Sequence, residues 1–219
     1  MSDSKKRDPE RTRQLILKAA RMEFCDKGLG GARVDEIARS AGTNKRMLYH
    51  YFGNKEELYL AVLERAYAEI REKERELILG DEDPVEGMRK LVRFSWQFFI
   101  DHPHFIRLLN TENLHSAQYV RRSAAIRDMH TPLVTMIRGL LDRGVAAGQF
   151  RPNVDPVQLY ITIAGISYFY RSNVHTLSAI FDRDLLCDEA LDARELHVVE
   201  VVLSYLRPQN GNARIPTPP

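Results

Sequence analysis

The sequence has no apolar run long enough to cross a bilayer. Its longest largely apolar stretch, Val157 to Tyr170, has 14 residues, against the ~20 that a membrane helix needs. The amino terminus, MSDSKKRDPERTR, is charged and has no apolar core before a small-residue cleavage site, so no secretory signal is expected and the chain is placed in the cytoplasm. Cysteine is scarce: Cys25 and Cys187 are too few for a disulfide scaffold and are expected as thiols in a reducing compartment. A Gly-rich phosphate loop, a nucleophile elbow and Cys/His zinc spacing are all missing, which removes the usual signatures of an enzyme. Glu112-x-x-His115 has the form of one ligand pair of a di-iron bundle, but the second pair is missing. His102, His104 and His130 are read as scattered histidines rather than as metal ligands. No catalytic residue, metal or cofactor is assigned. Alternating polar and β-branched residues are absent as well, so no sheet is expected.

What remains is an ordinary globular composition, 44% hydrophobic and 28% charged over 219 residues, enough for one or two domains with a core of their own. The net charge is only +2 but unevenly placed. Residues 1 to 53 hold 12 Lys and Arg against 7 Asp and Glu, whereas residues 54 to 219 hold 20 against 23. A basic amino-terminal quarter suits a polyanionic partner, and a solvated lysine cluster is the plainer alternative.

Helical spacing of apolar residues recurs throughout, and the expected fold is all-α. Asp8-Pro9 reads as N-cap and first helical residue of a helix that stops at Gly28. It carries Leu15, Ala19 and Met22 and, one position over, Ile16, Ala20 and Phe24. Short helices follow at Val34 to Ser40 and Lys45 to Tyr51, joined at Gly42, with Asn44 capping the second. Asn54 caps a long helix, Lys55 to about Leu79, whose run Glu69-Ile-Arg-Glu-Lys-Glu-Arg-Glu reads as a solvated face held by i,i+4 pairs. Further helices are expected at Val85 to Ile100, Phe105 to Ala117, Tyr119 to Ala147, Val157 to Val174 and Arg194 to Leu206. In the last (LHVVEVVLSYL) apolar residues cover nearly the whole circumference, so more than one side must be covered; a strand is the competing reading.

The two short helices form a helix-turn-helix, and the second offers Asn44, Lys45, Arg46, Tyr49, His50 and Tyr51 on its non-core surface, a dense set of base-edge and phosphate donors. The stretch FCDKGLGGARVDEIARSAGTNKRMLYHYFGNKEELYLAV resembles the amino-terminal DNA-binding domain of the TetR family of bacterial transcriptional regulators, over roughly Arg11 to Ala68. Gly28, Val34-x-x-Ile37-Ala38, Ala41-Gly42 and Leu48-Tyr49-x-Tyr51-Phe52-x-x-Lys55-x-x-Leu58 carry the likeness. Two departures stand out: Ala32 and Arg33 replace the hydroxyl residues that cap the second helix in many relatives, and Leu29 replaces an aromatic.

The resemblance implies that the helix Lys45 to Tyr51 enters the major groove. The DNA-contacting set is then Arg33, Thr43, Asn44, Lys45, Arg46, Tyr49, His50, Tyr51 and Lys55, with Arg33, Tyr51 and Lys55 on phosphate. Past Ala68, Asp101-His-Pro103, Gly148-Gln-Phe150 and Asp155-Pro156 are similar to a subgroup that includes regulators of pyrimidine and nicotinate use. This implies a helical ligand-binding and dimerisation domain. Its pocket candidates are Trp96, Phe99, Phe105, Asn110, Asn113, Tyr119, Tyr168 and Arg171, the arginine suiting a carboxylate or acidic heterocycle, and the effector is expected to be an aromatic or acidic heterocycle. Tyr160, Ala164, Val199, Val202, Leu203 and Leu206 are the dimer-interface candidates. The expected organisation is a flexible arm 1–8, a DNA-binding domain 9–68 with its helix-turn-helix at 33–52, a ligand-binding and dimerisation domain 69–207, and a disordered tail 208–219. The function expected is a homodimeric repressor released from palindromic double-stranded DNA by a small-molecule effector; the alternative is a helical ligand-binding adaptor without specific DNA recognition.

Overall fold

A computed structural model describes residues 8–77 and 82–208. The expected tail beyond residue 208 and the arm before residue 8 lie outside the described residues. Every regular element described is a helix, including the β-branched run LHVVEVVLSYL.

Local chemistry sets the amino-terminal elements. In α1 (Pro9–Gly31) the Asp8 carboxylate accepts from the backbone N–H groups of Glu10 and Arg11 at 3.0 and 3.3 Å, while Pro9 gives up a donor that would have no partner. Gly28, at φ 64°, kinks the helix where the sequence ends it. Of the two apolar stripes of α1, the structure buries Ile16, Leu17, Ala20 and Phe24 and leaves Leu15 and Met22 exposed. Next come α2 (Val34–Ser40), α3 (Lys45–Phe52) and α4 (Lys55–Arg75). Asn44 caps α3 by accepting from Met47 N–H at 2.9 Å, and Asn54 accepts from Glu57 N–H at 2.8 Å at the start of α4.

The remaining elements are α5 (Pro84–Asp101), α6 (Pro103–Leu114), a 3₁₀ turn (Val120–Arg122), α7 (Ala124–Asp128), α8 (Thr131–Ala146), α9 (Pro156–Phe181) and α10 (Asp188–Leu206). Three expectations are corrected here. The single helix from Tyr119 to Ala147 is three pieces, because extended Ser123 stops one turn and caps the next through Ile126 N–H, and because Pro132 fits only the first turn of α8. Helix α9 runs seven residues beyond Val174, since no glycine or proline interrupts it before Asp182 takes up φ 50°. The charged run in α4 is not solvated all round: Arg71 and Glu74 are both buried.

The chain divides into two compact units. The first holds the described residues up to Ile70 and the separate segment His104–Met129; the second holds Arg71–Pro103 and the described residues from His130 onward. Inside the first, Tyr59 of α4 packs edge-on against Phe24 and against Tyr119, each at 5.1 Å. Buried Glu112 accepts from the backbone N–H groups of Tyr119 and Val120, both at 3.0 Å. Ser123 donates to Glu64 at 2.7 Å, Arg107 pairs with Asp26 at 2.7 Å, and Arg122 pairs with Glu57. The second unit packs α5, α8, α9 and α10 around Met88, Trp96, Ile137, Leu140, Ile163, Val198 and Val202. Close approach there depends on Gly144, where an added Cβ would stand 1.9 Å from the Phe150 ring.

Candidate nucleic-acid interface

Helix α3 separates its residues by function through its own periodicity. At about 100° per residue, Lys45, Arg46, Tyr49 and His50 fall on one arc and are exposed, whereas Leu48 and Phe52 fall on the other and are buried. The helix contains no acidic residue, and Lys45 and Arg46 are the cations of its outward set. Leu48 is fully buried and anchors the helix, and Arg13 of α1 lies 5.4 Å from the Phe52 ring centroid in a cation–π contact.

The other expected contact residues are brought to the same part of the first unit, several with intramolecular partners. The exposed Asn44 uses its carbonyl oxygen for the cap, which leaves its amide N–H₂ as donor. Lys45 lies 3.3 Å from Asp35 across the turn, with both side chains at least half exposed, so the pair is weak and easily exchanged for a phosphate. Half-buried Thr43 donates its backbone N–H to Ala38 O at 2.9 Å, closing the turn beside Gly42, which has φ 64°. Half-buried Tyr51 stacks edge-on with His50 at 5.4 Å. Lys55 reaches Gly30 O at 3.4 Å, which holds the start of α4 against the end of α1.

Arg33 is exposed at the start of α2 and provides no side-chain cap. The acceptor there is Glu23 of α1, which takes the Arg33 backbone N–H at 3.1 Å and Lys27 Nζ at 2.9 Å. The Lys27 hydrogen bond, with help from Arg33, holds the Glu23 carboxyl below its ordinary range. Sequence reading missed Glu23, because a carboxylate ten positions upstream has no local signature, and Glu23 with Lys27 resembles any i,i+4 pair. The two free thiols take no part: Cys25 donates to His104 O at 3.3 Å, and burial pushes it up to about 11.

The effector candidates fall in both units. Phe105, Asn110, Asn113 and Tyr119 belong to the first unit, and Trp96, Phe99, Tyr168 and Arg171 to the second. Trp96 is core, packed against Tyr170 at 5.2 Å, and Phe99 is buried against the edge of Tyr168. Phe105 is buried against Tyr67 at 5.4 Å, and Tyr119 packs on Tyr59. Asn110 and Asn113 are exposed, while Tyr168 and Arg171 are half-buried on α9. A hollow of about 600 Å³ in the second unit is lined by Tyr170, Leu185, Arg194 and His197 instead.

The dimer candidates need a similar correction. Val199, Val202 and Leu206 are at 3% exposure or less, facing the core of their own chain, and Tyr160, Ala164 and Leu203 are half-buried. Helices α9 and α10 leave other apolar side chains in the open, among them Val157, Ile161, Phe169, Leu196 and Tyr205. An all-round apolar sequence gives no clue to which side meets its own core.

The chain matches the family described as "Bacterial regulatory proteins, tetR family" over residues 16–62 and "Tetracyclin repressor-like, C-terminal domain" over residues 84–202. The chain belongs to the TetR family. Among its relatives, the HTH-type transcriptional repressor NicS of Pseudomonas putida is 40% identical over 181 residues, covering 83% of this chain and 85% of NicS. RutR of Escherichia coli, an HTH-type transcriptional regulator, is 26% identical, covering 90% and 91%. These alignments are too long to be confined to the stretch before Ala68. The crystal structure of the transcriptional regulator SCO4942 of Streptomyces coelicolor superposes with a TM-score of 0.64 at 28% identity, covering 89% of this chain and 98% of the other. As a TetR protein the chain is a bacterial helix-turn-helix transcriptional regulator. No helix among the described residues is long and apolar enough to cross a membrane.

Proposed function

We propose that this TetR regulator works as a homodimeric repressor on a palindromic operator and is released by a small-molecule effector. The carrying observation is the exposed, acid-free face of α3, with Lys45, Arg46, Tyr49 and His50 on one arc and Asn44 at its start. Such a face supplies hydrogen bonds to base edges, while Arg33, Tyr51 and Lys55 suit phosphate oxygens. Thr43 sits at the turn and serves mainly to orient the helix. Two recognition helices in a twofold dimer would read half-sites about 34 Å apart. The exposed apolar side chains of α9 and α10 support self-association through those helices, in place of the inward-facing valines.

Regulators of this family bind operator DNA and small-molecule effectors. An effector that binds better to a dimer of different half-site spacing lowers DNA affinity by that difference in binding. The test is to mix the purified protein with fragmented genomic DNA at physiological salt and sequence what is retained. Recovery of one inverted repeat is expected. Uniform or no enrichment, with and without cell extract as a source of effector, would defeat the reading in favour of an adaptor.

A further inference from the structure

Arg71 is the first residue of α4 that belongs to the second unit, and it is only 3% exposed. A guanidinium carries five N–H donors and no acceptor, and its removal from water is costly unless those donors are met. Here they are met poorly. Nη2 donates to the Tyr160 hydroxyl at a long 3.3 Å, and the guanidinium lies 5.6 Å from the centroid of that ring. Nη1 lies 2.9 Å from Glu74 Oε2, yet neither Nη1 nor Nε makes a hydrogen bond among the described residues. Glu74 is also an incomplete counter-charge. Burial pushes its carboxyl up to about 7, and Arg71 pulls it back only in part, so near neutral pH much of it is protonated.

We propose that Arg71 is the receptor for a small organic carboxylate, the effector of this repressor, and that Glu74 is an internal stand-in which the ligand's carboxylate displaces. The inference rests on the effector-released reading above and gives it a ligand class. A ligand carboxylate at the position of the Glu74 group keeps the charge pairing and can face the idle N–H groups squarely, as bound carboxylates on arginine do. Glu74 can leave at small cost because α4 ends at Arg75, one residue later, where the last turn of a helix frays readily. The Tyr160 ring offers a flat apolar wall beside the guanidinium. Such an exchange acts on α4 itself, the helix that contributes Leu58, Tyr59 and Val62 to the core of the DNA-binding unit.

The experiment is calorimetric titration of the full-length protein with benzoate, with cyclohexanecarboxylate and with the neutral isostere benzamide. At least one carboxylate is expected to bind, with benzamide at least about tenfold weaker. Glu74→Gln keeps the shape but removes the competing charge, so carboxylate affinity should rise about tenfold; Arg71→Met should abolish it. Because Arg71→Met leaves a carboxyl buried alone and can unfold the chain, Glu74→Gln is the deciding variant. Equal carboxylate affinity in wild type and Glu74→Gln, or binding of neither carboxylate, overturns the proposal and leaves a purely structural ion pair. The titration contains no DNA. Failure to recover an operator in the genomic selection therefore counts against the repressor reading separately.

Discussion

Glu23 of α1 accepts the backbone N–H of Arg33 at 3.1 Å, and so ties the residue that opens α2 to another helix. Hydroxyl residues ahead of α2 would accept from N–H groups of its first turn; with Ala32 and Arg33 in those places, the start of α2 is held by this tertiary contact instead. Glu23→Ala should cost about 1 kcal/mol, the ordinary net worth of a hydrogen bond. Glu23→Gln, which keeps an acceptor, should cost less. Urea denaturation of the two variants checks the order, and equal loss in both would show that charge rather than acceptance matters.

Lys45 and Asp35 form an exposed pair at 3.3 Å, which a phosphate taking up Lys45 would break. If Lys45 then sits on a phosphate, Lys45→Ala should weaken binding to all sequences alike and reduce the slope of log affinity against log salt by about one. Asp35→Asn should strengthen binding by up to about tenfold, since it frees the lysine and removes a repelled charge. Anisotropy titrations over a salt series read both effects. An unchanged slope for Lys45→Ala would remove that residue from the phosphate contacts.

In the proposed homodimer, self-association runs through the outer faces of α9 and α10. Phe169, 56% exposed in the single chain, is the test position: Phe169→Asp should give a folded monomer with much reduced operator affinity. Sedimentation velocity and circular dichroism together distinguish this outcome from unfolding. A variant that stays dimeric would put the interface elsewhere.

The buried carboxyl of Glu74 makes stability depend on pH in an uncommon direction. Its folded value is about 7 and its ordinary value 4.5. Between these the folded chain holds a proton that the unfolded chain has released, so stability is highest near the lower limit and declines as pH rises through the window. The total decline is at most roughly 3 kcal/mol and is flat above about pH 7. Urea midpoints at a series of pH values should show the decline in wild type and lose it in Glu74→Gln. A stability that rose between pH 5 and 7 for this group's sake would contradict the assignment.

What the sequence made legible was chemistry confined to a few neighbouring residues. Asp8-Pro9, Asn44 and Asn54 cap helices through side chains acting two or three positions away, and Gly28, Gly42 and Gly53 mark turns because each needs a positive φ. The α3 face was legible for the same reason, since helical period alone sorts Lys45 and Tyr49 from Leu48. Long-range arrangement stayed hidden. Arg71 and Glu74 look like any other members of a charged run until Tyr160, far along the chain, packs over Arg71. Val199 and Val202 cannot be told from Leu196 and Val201 as inner or outer residues, because both groups are apolar. Phe105 and Tyr119 pack on Tyr67 and Tyr59, partners that lie far off in the sequence.

The discontinuous make-up of the first unit bears on how such regulators can be recombined. A chimera that joined residues 1–70 of this chain to the remainder of a relative would discard Tyr119, Ser123 and Arg122, which hold Tyr59, Glu64 and Glu57 in place. Transplanting the DNA-reading half therefore takes two inserts, the second spanning His104–Met129. Sensor halves from different repressors are interchangeable only where all three splice points, after residues 70, 103 and 129, are matched, so a biosensor built from this scaffold with a single junction leaves the first unit incomplete.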